Sequence, residues 1–490
     1  MTSPAFPATS AADGGRAERA PAPWVHTGAA MFPVVAGLLA LAILFHKARL
    51  GERELTSPHM VVSVAAIWAL LKPSSLGRFV TLLAVYLAVW ALDLPRVVNH
   101  IMFTALIALA LFAWLGLELA RTRRWPDASA VYAHLAPLLR WGVLTMYAFA
   151  ALAKLNHGFF HPELSCAVTM YRRLHFLPFL PQGAWISEPA IWGTVAVELA
   201  LPLLLALRRT RLAGVFVAIV FHALMAASGH VPFSAFAMPM LAVFVPEDVP
   251  ARLVQARRHH PWLDRWSRGV AAFVGRWWLF PVATALWVLV IPVPRYPWVP
   301  RVIRETLFGE QLLALYGLYL AGLTVLLVLA LRQPPRPYPF GAFRLPHPVL
   351  ALGPALVLAN ALQPYLGLKT AGSFTMYSNL RTEGGEWNHL VVPRAVRVFA
   401  LQDDLVHIVD SSDRRLSDSA RQGTRWVWTE LRAYLGTRPE VSVTFERNGV
   451  VETVPRAGDH PVLGVPPGPL VTRLLPFREV DPPGRSTCRW

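Results

Sequence analysis

Charge is what this 490-residue chain lacks. Only 15% of its residues are Asp, Glu, Lys or Arg, whereas an average soluble domain carries about 25%. The shortage is uneven, because hydrophobic runs fill residues 28–363 and polar sequence fills the rest. A soluble helical enzyme needs a polar face on most of its helices. These runs have none, which excludes that class. Cysteine is nearly absent as well. Cys166 and Cys488 are the only two, leaving either one bridge or two unpaired thiols. Tight metal-ligand spacing is also missing. His157, His161 and His175 fall in one loop, but match no compact ligand motif, and no metal site is predicted.

What is present is apolar length. Hydrophobic residues make up 55% of the chain, with a mean hydropathy of +0.43. Repeated long apolar runs separated by charged loops are the mark of bilayer spans. Candidate spans are 28–46, 59–72, 78–92, 97–119, 138–155, 189–207, 211–229, 232–245, 270–293, 309–331 and 346–363. The predicted fold class is an all-α polytopic membrane protein of about ten or eleven transmembrane helices. A small C-terminal α+β domain follows. Residues 1–27, rich in Ala, Pro and Ser, read as a disordered cytoplasmic lead-in. They do not read as a cleaved signal, since the first apolar stretch starts late and is long enough to span.

The net charge of +17 divides informatively. From Leu380 onward there are 15 Lys+Arg against 14 Asp+Glu, while the preceding residues carry 31 against 15. The excess therefore sits in membrane loops, where Arg and Lys set orientation. A nucleic-acid footprint would place a basic stripe on a soluble face; none is expected. Loops following even-numbered spans hold 17 basic residues and the others 10. That places the N-terminus in the cytoplasm and, after eleven spans, residues 364–490 outside. Both cysteines then face the oxidising side. In the C-terminal part, 396–410 and 441–455 alternate as strands, with a hairpin turn at Asn448-Gly449. Residues 424–436 read as an amphipathic helix between them.

Ionisable groups within spans are costly, so each is a candidate functional residue. Asp93 ends the third span, and Asn99 and His100 open the fourth. Lys154 closes the fifth. Glu198 would lie about 13 Å inside the sixth span and His222 about 10 Å inside the seventh, at 1.5 Å per helical residue. All fall in one half of the membrane and would converge on a buried chamber. Each also has a structural reading. Lys154 would snorkel to headgroups, the histidines would bond backbone carbonyls, and Glu198 or Asp93 would pair with a neighbouring base to fix helix packing.

Four stretches carry a family resemblance. YAFAALAKLNHGFFHPELSCAVTMYRRLHFLP (147–178) resembles the segment of vitamin K-dependent gamma-glutamyl carboxylase that holds its catalytic lysine. VVNHIMF (97–103) is similar to that family's Asn-His pair. FHALMAASGHVPFSAFAMPMLAVF (221–244) is similar to its Phe-His helix, break and second apolar helix. QPYLGLKTAGSFTMYSNLRTEG (363–384) resembles the post-span segment of bacterial HTTM proteins, the wider group that contains the carboxylase. The family's lysine pair stands here as Ala153-Lys154, and its Trp before the Met-aromatic step as Phe374.

The resemblance implies that Lys154 acts as base toward a quinol of the vitamin K or menaquinol type. It implies that His100 steadies developing negative charge, with Asp93, Asn99, Glu198 and His222 lining the pocket. Oxygen and carbon dioxide would be co-reactants, whether the outcome is oxygenation alone (oxidoreductase) or glutamyl carboxylation as well (lyase). The expected partners are the lipid bilayer, a lipid-soluble quinone and a protein or peptide substrate on the extracytoplasmic side. A non-enzymatic scaffold presenting the C-terminal domain is the competing class. A transporter is a third, but no paired broken helices or inverted repeat support it. The Ala/Arg/Pro-rich usage points to a GC-rich bacterial source and so to the cytoplasmic membrane.

Overall fold

The computed structural model describes residues 25–49, 57–290, 311–335 and 343–488. The lead-in up to Trp24 and the loop arginines Arg53, Arg295, Arg301, Arg304 and Arg336 lie outside the described residues. The helices of the apolar part are α1 (Val25–Arg49), α2 (Ser57–Leu70), α3 (Leu76–Asp93), α4 (Asn99–Thr122), α5 (Ala128–Lys154) and α6 (Cys166–Arg172). Then come α7 (Ser187–Ala206), α8 (Arg211–Met225), α9 (Val231–Ala242), α10 (Val249–His259), α11 (Pro261–Val274) and α12 (Leu279–Val290). After the undescribed stretch follow α13 (Gln311–Leu331) and α14 (Leu352–Leu366).

Among the described residues, eight helical runs are long and apolar enough to cross a membrane, nine when α11 and α12 count as one bent span. Ten or eleven were expected, and three places account for the difference. α2 is an apolar helix of only 14 residues. The expected span 270–293 is instead two helices meeting at 82°. Residues 211–242 form one helical run, interrupted where Gly229 adopts φ 99°, a conformation that favours glycine.

That interruption turns the chain back. At the start of α8 the Arg211 guanidinium lies 5.1 Å from the Phe343 ring, and the Phe343 carbonyl accepts from Trp141 Nε1 at 2.8 Å. Just beyond α9, the Val243 carbonyl accepts from Arg140 Nε at 2.8 Å. Both ends of the run thus lie near adjacent residues of α5, the first through Phe343 and the second directly. A straight helix of this length would hold its ends roughly 48 Å apart at 1.5 Å per residue.

α5 also begins ten residues earlier than the expected span, capped by Asp127, whose Oδ1 accepts from Ala130 N at 2.7 Å. Arg140 is therefore no loop residue. It is buried within the helix and paired with Glu247 at 3.1 Å. Close approach at α4, α5 and α14 depends on small residues. A Cβ at Gly142 would meet Phe103 and Ile107, and one at Gly353 would collide with Leu138.

The C-terminal part is an antiparallel sheet in the order β2-β1-β3-β4. Its strands are β1 (Leu405–Ser411), β2 (Arg425–Val427), β3 (Val443–Arg447) and β4 (Val450–Val454). Helices α15 (Arg414–Gln422) and α16 (Trp428–Leu435) complete it, with a short α17 (Pro469–Leu474) beyond. Val406, Ile408, Trp426, Leu431 and Phe445 fill its core. The hairpin turns at Asn448 (φ 52°) and Gly449 (φ 78°), as their side chains and spacing require. Of the expected strand 396–410 only the end, from Leu405, pairs in the sheet, as β1, and the expected helix begins at Trp428 because Arg425–Val427 pairs with β1.

The two parts are sewn together at one end of the bundle. Gly367 ends α14 in the left-handed conformation (φ 82°), where a Cβ would collide with the Phe399 carbonyl. Phe399 N donates to Leu366 O at 2.9 Å, and Leu390 N to Leu155 O at 2.8 Å. Burial in this seam pushes the Lys369 amine down from 10.5 to about 8. The folded state thus binds fewer protons than the unfolded chain between pH 8 and 10.5, and stability rises with pH across that window. Lys369→Met is therefore expected to raise stability near neutral pH by about 3 kcal/mol at 1.36 kcal/mol per pKa unit. Denaturation of the detergent-solubilised chain should show that gain vanish as pH approaches 10.5.

Candidate functional site

A strap across the end of the bundle organises the polar residues. Between Gly372 and Asn379 the backbone is too irregular to pair with itself, with positive φ at Gly372, Phe374, Tyr377 and Asn379. Side chains from the helices and the loop after α5 take up its polar groups. Asn360 Nδ2 donates to Gly372 O at 2.9 Å, and Asn99 Oδ1 accepts from Phe374 N at 2.7 Å. Asn156 Nδ2 donates to Ser378 O at 2.6 Å, and Lys154 Nζ to Met376 O at 3.4 Å. Asn379 reaches back to Cys166 N and Leu164 O, at 2.8 Å each.

Below the strap lies a cavity of about 290 Å³ walled by α5, α6, α7, α8 and the residues flanking Phe233 and Tyr377. Its lining is mostly Phe, Met, Leu, Val and Ala. Two charged side chains line it among the described residues, and they face each other: Lys154 Nζ stands 2.8 Å from Glu198 Oε2. Both are buried, with 5% and 8% of their side chains exposed. Such a pair costs several kcal/mol per ion to desolvate, so an apolar cavity that retains it calls for a reason. Tyr147 lines the same wall, and its hydroxyl is 2.7 Å from His222 Nε2. His222 is fully buried, and its Nδ1 has no hydrogen-bond partner among the described residues. The Tyr147 hydroxyl and the imidazole can hold one proton in either position.

Of the six candidate positions, then, the cavity gathers Lys154 and Glu198, with His222 one hydrogen bond behind Tyr147. The other three are held elsewhere at the same end of the bundle. Asn99 secures the strap. His100 does not line the cavity; its Nε2 is 3.0 Å from His46 Nδ1, and its ring packs on Phe236. Phe233 stands between the two groups, 6.2 Å from His100 and 5.2 Å from His222, ring centre to ring centre. Asp93 pairs with His59 at 3.2 Å, and His59 with Lys47 Nζ at 3.0 Å. With His46, Asp93 and Lys47 line a second, smaller cavity of about 80 Å³.

Sequence reasoning passed over Tyr147, His46 and Asn156. A tyrosine or a near-terminal histidine in an apolar helix is commonplace, and only the partner side chain marks it. Cys166 and Cys488 are joined in a disulfide. The bond ties the tail to α6, whose Ala167 and Met170 form part of the cavity wall. Compared with known protein families, with curated proteins and with solved structures, the chain matches none.

Proposed function

We propose that this is an HTTM-type multi-pass membrane protein whose cavity binds a quinol of the vitamin K or menaquinol type. There it supports quinol-dependent oxygenation, with or without glutamyl carboxylation of an extracytoplasmic protein or peptide. The observation that carries this reading is the Lys154–Glu198 pair facing into an otherwise apolar cavity.

The donor set fits a flat apolar ring bearing hydroxyls: aromatic and aliphatic walls, with one amine, one carboxylate and one phenol at the polar side. A quinol bound there supplies the electrons that activate oxygen. Glu198 takes the ammonium proton across 2.8 Å and leaves Lys154 with a lone pair for the ligand hydroxyl. The Tyr147–His222 pair holds a second proton at the wall, and the apolar lining keeps water from competing. The mouth lies between α7 and α8, where Pro189, Gly193 and Leu224 line the cavity yet are exposed. A ligand dissolved in the bilayer reaches it sideways.

The membrane is the bacterial cytoplasmic membrane, with the cavity end and residues 364–490 outside. The disulfide at that end supports this orientation, since such bonds persist in oxidising compartments.

One observation favours the scaffold reading. Lys154 also donates to Ala150 O at 3.3 Å and Met376 O at 3.4 Å, so its amine serves as a clamp on the strap as well. Oxygen uptake by the purified protein in nanodiscs supplied with reduced menaquinone separates the two. The enzyme reading expects uptake that tracks quinol. The scaffold reading expects none. Gly193→Trp provides a second check. A Cβ there meets nothing within 4 Å, so the indole would fill the mouth without disturbing the fold. Quinone retained through purification should fall at least tenfold, a loss equal to about 1.4 kcal/mol of binding.

A further inference from the structure

α11 is the most amphipathic long helix of the apolar part, and its apolar face stays largely exposed among the described residues. Trp262, Trp266, Val270 and Phe273 are exposed by 50%, 56%, 40% and 48%. At 3.6 residues per turn they fall within a sector of about 80°, and Trp277, 86% exposed, continues the stripe beyond the helix end. Leu263, on the neighbouring face, is buried with Ala256 of α10 and Leu329 of α13, which fixes the helix against the bundle. That contact lies near the end of α13, while Tyr316 near its start packs on Phe45, beside His46. α11 therefore sits at the end of the bundle away from the strap.

The charges on it and around it are mostly basic, though Arg252 is paired with Asp248 at 2.7 Å. Residues 249–278 contain Arg252, Arg257, Arg258, Arg265, Arg268 and Arg276 against a single acid, Asp264. Asp264 is shared by Arg257 at 2.7 Å and Arg268 at 2.8 Å. Arg265 and Arg276 are exposed beside the tryptophan stripe. The chain then bends by 82° into α12, which is apolar throughout. If α12 runs across the bilayer, α11 lies along its surface, with indoles at headgroup depth and guanidiniums level with the phosphates.

We infer that α11 and the arginines flanking it form a binding surface for anionic phospholipid headgroups in the leaflet opposite the strap. The tryptophan stripe seats the helix, and the arginines select negative lipid. The surface is distinct from the cavity and does not depend on its chemistry.

The test uses the full-length protein in nanodiscs of phosphatidylcholine alone or mixed with phosphatidylglycerol, with retained lipid counted by native mass spectrometry. The wild type should retain phosphatidylglycerol preferentially. Arg265→Gln with Arg276→Gln should weaken that preference roughly fivefold per residue, equivalent to about 1 kcal/mol for each basic group at an anionic surface. Trp266→Ser should weaken retention of both lipids. Equal retention of the two lipids by the wild type would overturn the inference. So would a double variant that behaves as wild type, or a dimer in light scattering that Trp266→Ser dissociates, since the stripe would then be covered by a second copy.

Discussion

Replacing Lys154 by alanine is expected to abolish quinol-dependent oxygen uptake and to destabilise the fold by about 3–5 kcal/mol. The stability loss arises because Glu198, 8% exposed, is left in the apolar cavity without the amine that faces it. Glu198→Gln should also depress uptake, by removing the proton acceptor beside the amine. The informative variant is the double one, Lys154→Met with Glu198→Leu. Replacing a buried ion pair by apolar side chains of similar volume is often neutral or stabilising, so the double variant should recover the stability lost by the single. It should not recover uptake. Thermal unfolding and oxygen uptake, measured on the same preparations, separate the two roles. Uptake by the double variant at the wild-type rate would remove Lys154 from the chemistry.

The second large effect is expected at Asn156, two residues on. Its side chain is fully buried and fully used. Nδ2 donates to Ala153 O at 2.7 Å and to Ser378 O at 2.6 Å, while Oδ1 accepts from Phe159 N at 2.9 Å and Asn388 Nδ2 at 3.2 Å. Asn156→Leu keeps the volume and strands two backbone carbonyls, of Ala153 and Ser378, while Phe159 N keeps its bond to Asn156 O at 3.2 Å. At about 1–3 kcal/mol for each buried group left unsatisfied, the loss should reach about 2–6 kcal/mol, concentrated at the strap. Limited proteolysis should then cut between residues 372 and 379 before the bundle unfolds. Asn156→Asp, which keeps the accepting oxygen but sets a second oxygen against the Ala153 and Ser378 carbonyls, should lose at least as much. Cleavage no faster than in the wild type would show that the strap is held by its other contacts.

How far the sequence foretold this site depends on the kind of signal. Lys154, Glu198 and His222 stood out because a titratable side chain within an apolar run is costly whatever surrounds it. That cost shows without knowing the partner. Tyr147 and His46 carry no such mark, and the pairing of His100 with His46 joins residues 54 positions apart. The hairpin at Asn448-Gly449 was legible because two adjacent positive φ values demand those residue types. Span boundaries were less so. Arg140 argued for a loop, and only its bonds to Val243 and Glu247 make it tolerable within α5. Most of α11 was read as a loop and its last turn as the start of the span 270–293, because an apolar run cannot disclose an 82° bend between two helices.

The Cys166–Cys488 bond has a consequence for biogenesis. It joins residues 322 positions apart, and the tail it secures also takes hydrogen bonds from Asn379 and Arg381. One wall of the cavity is thus fastened by residues translated 322 positions after the helix they secure. Insertion of the helices alone would leave that wall unfastened until the bond forms.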